Sequence, residues 1–431
     1  MFSIFRNAWK IADLRKKILY TLFILVLFRI GSAFTVPFLD PSMISDMINS
    51  SGSLLGFIDV LTGGAFSQAT VFALSISPYI TSSIVIQLLT IAIPALERLS
   101  KEGEEGRKKI NTITRYTTIA LALIQSVAYY MILANSNAVT YTKGPEGFLA
   151  GATIILTFTA GSMVVVWLGE RIDAKGIGNG ISMILFAGIV SRGPSAVINM
   201  YTYFLLGING DTKYLVFVPL IIIIFLALIT LIVLMTNAER RIPVQYAKKV
   251  VGRKMYGGQS SHIPVKVTMS GVMPIIFASS IISIPGTIGG FLNLKAGTFW
   301  HGFFKLFEYD SWVYAVLYFI LIIAFNYFYV AIQYNPIEMA NNLQKNNGTI
   351  PGIRPGRATA QFISKVIAKI TLIGALFLAL IAILPIGMGA ISGMNIALGG
   401  TSIIIVVGVA LDTTRELESQ MMMRHYKGFL E

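Results

Sequence analysis

Residues 214–249 read YLVFVPLIIIIFLALITLIVLMTNAERRIPVQYAKK: an uncharged apolar run as far as Thr236, then a turn into Arg240, Arg241, Lys248 and Lys249. A helix rises about 1.5 Å per residue, so about twenty such residues cross roughly 30 Å of hydrocarbon. A soluble core helix seldom needs that length, and basic residues beside a span hold that end in the cytosol. The same pattern recurs along the chain. Apolar runs also occupy 18–39, 69–96, 116–134, 148–168, 178–206, 269–292, 312–333, 370–390 and 394–411, which with 214–236 makes ten expected crossings.

The intervening loops alternate in charge. Of the 34 Lys and Arg residues, 28 lie before residue 18 or in 97–115, 169–177, 237–268, 334–369 and 412–431. Lys143, Arg192, Lys213, Lys295 and Lys305 fall on the other side, and Arg29 lies within a span. Both termini and the long basic loops are therefore expected in the cytosol, with the chain in the plasma membrane. A content of 55% hydrophobic and 13% charged residues, with mean hydropathy +0.72, excludes an ordinary soluble domain and a disordered chain. The net charge of +14 is largely this topology signal and an attraction to anionic lipids; ribosomal RNA is a further candidate partner for such loops. Without cysteine the chain has neither disulfides nor thiolate metal sites. Lys16-Lys17 and Gly31-Ser32-Ala33 superficially fit a cleaved leader, but Arg29 and the length of the run favour a retained first span.

The expected fold is all-α and polytopic. Residues 1–17 form an amphipathic cytosolic helix on the leaflet, 18–206 and 207–411 each carry five spans, and 412–431 is a cytosolic tail. Within the external stretch 40–68, residues 52–66 are apolar but too short and too glycine-rich to span. This segment must re-enter or lie in a cavity, because irregular backbone facing lipid leaves its N–H and C=O groups unpaired. Pro78, Gly193-Pro194, Pro274, Pro285 and Pro385 are expected to kink their helices. A charge at bilayer centre costs roughly 2.5–3.5 kcal/mol. Arg29, and Arg192 near the fifth-span kink, are the exceptions; Arg29 faces either lipid phosphate or a watery interior.

Intramembrane chemistry finds no residues to carry it. His262, His301 and His425 all lie in loops or the tail, and no H-E-x-x-H, nucleophile motif or Walker A occurs. Gly176-Ile177-Gly178-Asn179-Gly180 lacks the spacing of a phosphate loop and reads as a tight turn opening a helix. No catalytic residue, metal site or cofactor is expected. The basic loops 237–268 and 345–357 combine charge with Tyr246, Tyr256 and Pro/Gly-stiffened turns, which suits docking of a large anionic partner.

Several motifs then occur in one order: FRIGSAFTVP (28–37), PYITSSIVIQLL (78–89), KEGEEGRKKI (101–110), GIGNGISMILFAGIV (176–190), ERRIPVQYAKK (239–249), GVMPIIFASSI (271–281), NPIEMANNL (335–343), PGIRPG (351–356) and GGTSIIIVVGVALD (399–412). On these the chain resembles the SecY family, the central subunits of the bacterial protein-conducting channel. Asp173, where relatives commonly carry Thr, and Thr268, where Asn is usual, depart from the pattern. The resemblance implies two pseudo-symmetric five-helix halves around a central hourglass pore that opens laterally between the second and seventh spans. It implies a pore ring of Ile76, Ile80, Ile181, Leu185, Ile276 and Ile405, a plug over 54–68 including Leu54, Leu55, Gly56, Phe57, Ile58, Leu61, Gly63, Gly64 and Phe66, and partner contacts at Arg240, Arg241, Arg253, Lys254, Arg354 and Arg357. The implied partners are SecE-like and SecG-like small membrane subunits, the SecA ATPase, the ribosome, preproteins with signal sequences and anionic lipids. A ring of aliphatic side chains can exclude water and ions by dewetting while offering no binding site. A secondary transporter is the alternative, and would need charged or unwound half-helix sites at the midplane.

Overall fold

The computed structural model describes residues 2–40, 44, 59, 62–135, 138–141, 144–208, 211–246, 249–251, 254–256, 260–291, 299–307, 311–392 and 400–427. The chain opens with α1 (Phe2–Lys10), breaks at the extended Ile11, and continues as α2 (Ala12–Gly31). The expected surface helix is thus shorter than 1–17, and its last residues belong to the first span's helix. Ala8 of α1 and Leu14 of α2 are buried against Ile177 and Leu417, while Phe5 and Trp9 stay exposed.

The second span departs most from expectation. Its helix α3 (Ser77–Ala92) has Pro78 in the first turn, where the missing N–H would be unpaired in any case, so Pro78 starts the helix instead of kinking it. Pro274 likewise sits at the start of its helix. Residues 63–76 are turns, with left-handed φ at Gly63, Gly64, Ala69 and Ser75. Their backbone is paired inside the protein: Val36 N–H donates to Ala69 O (3.0 Å), Val71 N–H to Phe34 O (2.9 Å) and Tyr129 Oη to Phe66 O (2.6 Å). Irregular chain is thereby kept out of contact with lipid. α4 (Pro94–Lys101) follows α3 at a bend of 101°.

The remaining helices of the first part are α5 (Glu104–Asn135), α6 (Gly144–Lys175), α7 (Gly180–Ser191) and α8 (Gly193–Ile208); Arg192 alone separates the last two. α9 (Thr212–Asn237) leads into a feature that the reading as plain loops missed. β1 (Glu239–Tyr246) pairs antiparallel with β4 (Ser260–Lys266), and β2 (Lys249–Val251) with β3 (Lys254–Tyr256) between them. Then come α10 (Met273–Phe291), α11 (Phe299–Lys305), α12 (Trp312–Gln333), α13 (Pro336–Lys345), β5 (Gly348–Thr349), α14 (Arg357–Ser392) and α15 (Gly400–Lys427). α14 starts well before the expected 370, and α15 runs past 411 through most of the expected tail. Charged residues are tolerated in these helices once they project beyond the apolar layer.

Six described helical segments are long and apolar enough to cross a membrane, or seven if the bent α3–α4 pair is one span. Val216, Ile223, Leu226 and Leu234 of α9 are each more than half exposed, a costly arrangement in water but a natural one in lipid. Hydroxyls and glycines draw helices together. Ser82 Oγ donates to Thr114 O (2.8 Å) between α3 and α5, and Ser126 Oγ meets Thr159 Oγ1 (3.0 Å) between α5 and α6. A Cβ built on Gly180 would lie 1.9 Å from Gly169 O, so α7 packs on α6 at a distance only glycine allows. Gly180→Ala should lower the stability of the purified protein by about 1–3 kcal/mol, the usual range for overpacking. Thermal unfolding in detergent checks this, and a midpoint equal to that of the parent would contradict it.

Candidate functional site: an aliphatic seam and its surroundings

Four helices share one aliphatic cluster. Leu185 and Ile189 of α7 and Ile405 and Val409 of α15 are buried, with Ile80 of α3 and Ile276 of α10 packed against them. Four of the six expected ring residues, Ile80, Leu185, Ile276 and Ile405, therefore meet. Ile76 and Ile181 lie in the adjoining cluster with Phe28, Phe72, Val165 and Ile184, where Ile76 is fully buried. Ile80 belongs to both clusters. Ile80 N–H donates to Ile76 O at 3.0 Å, so the pair stays one helical turn apart although Ile76 precedes the helix proper. The side chains in the seam offer dispersion contacts and no directional bond.

The supports of this seam are polar. Asn179 caps α7 by accepting from Ser182 N–H (3.0 Å), and Asp173 Oδ1 accepts from Gly180 N–H (2.7 Å). The Asp173 carboxylate is thus fixed to the start of a seam helix. On the other side, Ser270 Oγ donates to Asn326 Oδ1, and Asn326 Nδ2 donates to Thr371 O (3.0 Å), which ties the approach to α10 onto α12 and α14. α10 also packs on α12 through Phe277, edge-on to Phe325 and Tyr329 at 6.0 Å each. Its contacts with α3 and α5 are far sparser.

Beside the seam lies the glycine-rich segment. Leu54, Leu55, Gly56, Phe57, Ile58 and Leu61 are outside the described residues. Phe66 is buried in a cluster with Val36, Leu133 and Phe158 and stacks on Tyr129 at 4.3 Å, so it anchors the segment to the helices. Gly63 and Gly64 form a left-handed turn before it. Arg29 Nη1 donates to Gly63 O (3.3 Å), so its guanidinium is engaged within the protein. Arg192 pairs with the buried Asp59 and donates to Ser67 Oγ (3.3 Å).

The two basic loops come together. β5 adds to β1 with Gln245 opposite Thr349, giving a three-stranded sheet in the order β4-β1-β5. Ile242, Val244 and Val265 bury one face against Leu343 of α13, Ile350 and Ile363 of α14. Arg240, Arg241, Arg354 and Arg357 remain exposed; Arg253 lies outside the described residues, and of Lys254 only its place in β3 is described. The period-two alternation of Ile242/Val244 and Ile263/Val265 was the available signal for this sheet. Nothing in the sequence pattern paired Asp59 with Arg192.

These features define a polytopic α-helical membrane protein with an aliphatic centre, buried irregular backbone and a basic extramembrane platform. A family model described as SecY matches residues 70–414. The chain is 42% identical over 447 residues, covering all of both chains, to a protein translocase subunit SecY of Streptomyces scabiei. It is similar in fold, with TM-score 0.66 and 19% identity over 94% of this chain and 92% of the other, to a solved protein-conducting channel. It is similar too, with TM-score 0.61 and 17% identity over the same shares, to Sec61 in the canine ribosome-channel complex from the endoplasmic reticulum. The chain belongs to the SecY family. Burial of an acid at Ile242 would separate the sheet from its helices, costing about 3 kcal/mol or more. Limited proteolysis of Ile242→Asp should cut within 237–268 and 345–357 much faster than in the parent; an unchanged digestion pattern would contradict the shared core.

Proposed function

We infer that this chain is the pore-forming subunit through which unfolded secretory polypeptides cross the membrane and from which signal or transmembrane segments leave sideways into lipid. Full-length likeness to the translocase family supports the channel, and the seam of Ile80, Leu185, Ile276 and Ile405, drawn from four helices, is the observation that carries the mechanism. A polypeptide of any sequence has to slide through the constriction without being held. Aliphatic side chains suit this: they close on one another by dispersion, exclude ions when closed, and bind no moving peptide group tightly. Ile76 and Ile181 complete the ring on its side toward α2 and α6.

The apolar runs support ten crossings and the charge of the loops supports both termini and the sheet platform in the cytosol, while the two five-helix halves and the bacterial plasma membrane are what membership of the SecY family implies. The sparse contact of α10 with α3, against its dense contact with α12, supports the reading of that junction as the lateral gate. A signal sequence wedges there. Arg240, Arg241, Arg354 and Arg357, carried on or beside one sheet, receive the SecA ATPase or the ribosome, whose work drives the polypeptide; SecE-like and SecG-like subunits brace the helices. No bond is made or broken by this chain. A secondary transporter would need a charged midplane site, whereas Arg29 and Arg192 are engaged with the chain's own backbone and with Asp59.

Purified channel with its small subunits in vesicles should pass a radiolabelled preprotein when the motor ATPase is added, and should show no counterflow of small solutes. Counterflow without preprotein transport would refute the reading. Ile276→Asn should fold and raise resting conductance several-fold in planar bilayers, because a polar side chain wets the constriction. A conductance equal to the parent's would count against the ring. Arg354→Glu should impair motor-driven transport while leaving membrane insertion of the channel intact; normal transport by such vesicles would remove Arg354 from the docking surface.

A further inference from the structure

The end of the spans opposite the basic sheet carries a dense group of aromatic side chains. α10 runs away from β4 and α12 runs back toward β5, so α11 (Phe299–Lys305) lies at that far end. A turn continues it to Phe307, whose N–H donates to Phe304 O at 3.0 Å. Phe299, Trp300, Phe303, Phe304 and Phe307 follow at intervals of one, three, one and three residues. At about 100° per residue these positions share one arc of about 140°, with Leu306 at its edge and His301, Gly302 and Lys305 outside it. Their rings touch one another: the Phe303 centroid lies 5.5 Å from that of Phe304 and 5.3 Å from that of Phe307, and Trp300 stacks on Phe304 at 6.3 Å. They do not bury one another. Phe299 is 79% exposed and Trp300 55%, and Trp312, at the start of α12, is 82% exposed. A contiguous apolar patch of this kind marks an interaction surface. Its inner edge is fixed, because Phe307 packs against the core that joins Ile275, Ala278 and Ile282 of α10 to Tyr314 and Tyr318 of α12. α11 also packs directly on α10.

What covers the patch follows from its place. A short helix between two spans stays at the margin of the bilayer, and the exposed apolar surface of α12 continues from Trp312 through Val316 and Ile320, one helical turn apart on one face. The aromatic arc is thus continuous with a lipid-facing surface. Rings with an apolar body settle where acyl chains meet headgroups, and a short amphipathic helix lies flat at that level. We propose that α11 is seated in the headgroup–acyl boundary of the leaflet away from the basic sheet and there fixes the depth of the α10–α12 pair. The occupant of the aromatic face is phospholipid, and neither a small subunit nor a second copy of the chain. One side of the junction between α10 and α3 then keeps its level in the membrane while the other is free to part from it. That consequence rests on the lateral-gate reading; the lipid seat does not.

The chain has no cysteine, so a spin label can be attached at one introduced cysteine at a time in the full channel complex, reconstituted in phosphatidylcholine and phosphatidylglycerol vesicles. Phe299→Cys and Phe303→Cys report the aromatic arc, Gly302→Cys the opposite side, where an added Cβ meets no atom within 4 Å, and Ile320→Cys the lipid-facing reference. Relaxation by oxygen, which concentrates in lipid, is compared with relaxation by a water-soluble nickel chelate. Labels at 299 and 303 should favour oxygen several-fold more than the label at 302. A preference for nickel at 299 and 303 would put the arc in water and overturn the seat. Shielding from both reagents would overturn it too: relief on omitting the small subunits would assign the face to a subunit, and dipolar broadening between labels would assign it to a second copy. Should these substitutions disturb the helix, Trp300 fluorescence gives the same reading in a variant carrying Trp9→Phe, Trp167→Phe and Trp312→Phe. Lipids brominated high on the acyl chain should quench it more than lipids brominated near the chain end, and aqueous iodide should quench it weakly; strong iodide quenching would overturn the seat. Anchoring is read separately. Phe299→Ser, Trp300→Ser and Phe303→Ser together should change the oxygen-to-nickel ratio of the label at 320 several-fold, and an unchanged ratio would overturn the fixing of depth. None of these readings moves if the gate lies elsewhere, so a failure here is distinct from a failure of the gate.

Discussion

Dispersion contact among aliphatic side chains at one seam is the constraint to which the rest of the molecule answers. Ile80, Leu185, Ile276 and Ile405 come from α3, α7, α10 and α15, and each such contact is worth only tenths of a kcal/mol per atom pair. A closure of that kind is tight when complete and yields without breaking a specific bond. It works only if the helices bearing it are placed accurately by other means. Those means are polar and lie at the helix ends: Asn179 and Asp173 at the start of α7, and the Ser270–Asn326–Thr371 chain before α10.

The second constraint is the hydrocarbon itself. Backbone that is not helical has to find partners within the protein, and the turns at 63–76 do so against Phe34, Val36 and Tyr129. Buried in this way, the segment is neither helix nor lipid-facing. Outside the apolar spans, strands from two loops far apart in sequence make one sheet and bury Ile242, Val244 and Val265. The arginines thus sit on a rigid support and not on separate loops.

The long spans were legible because a bilayer demands long apolar runs and sorts basic loops, and both demands leave marks in a single sequence. The motif order carried the family, and with it four seam residues that composition alone could not single out from ordinary packing. Pro78 was misread because a proline in a first turn and one inside a helix look alike until the helix start is known. The ends of α14 and α15 were missed because charge, read as loop, also suits a helix projecting into water. Strand alternation around Ile242 and Ile263 was present but was overshadowed by the charge of the same segment. The Asp59–Arg192 pair left no local mark, since its partners lie in separate elements.

Site-specific photo-crosslinking to a preprotein arrested in transit tests the central claim most directly. With a crosslinker at position 80, 185, 276 or 405 in turn, each should label the arrested chain, while one at the lipid-exposed Leu226 should not. Labelling from position 226 with silence from the four seam positions would place the path elsewhere and contradict the account.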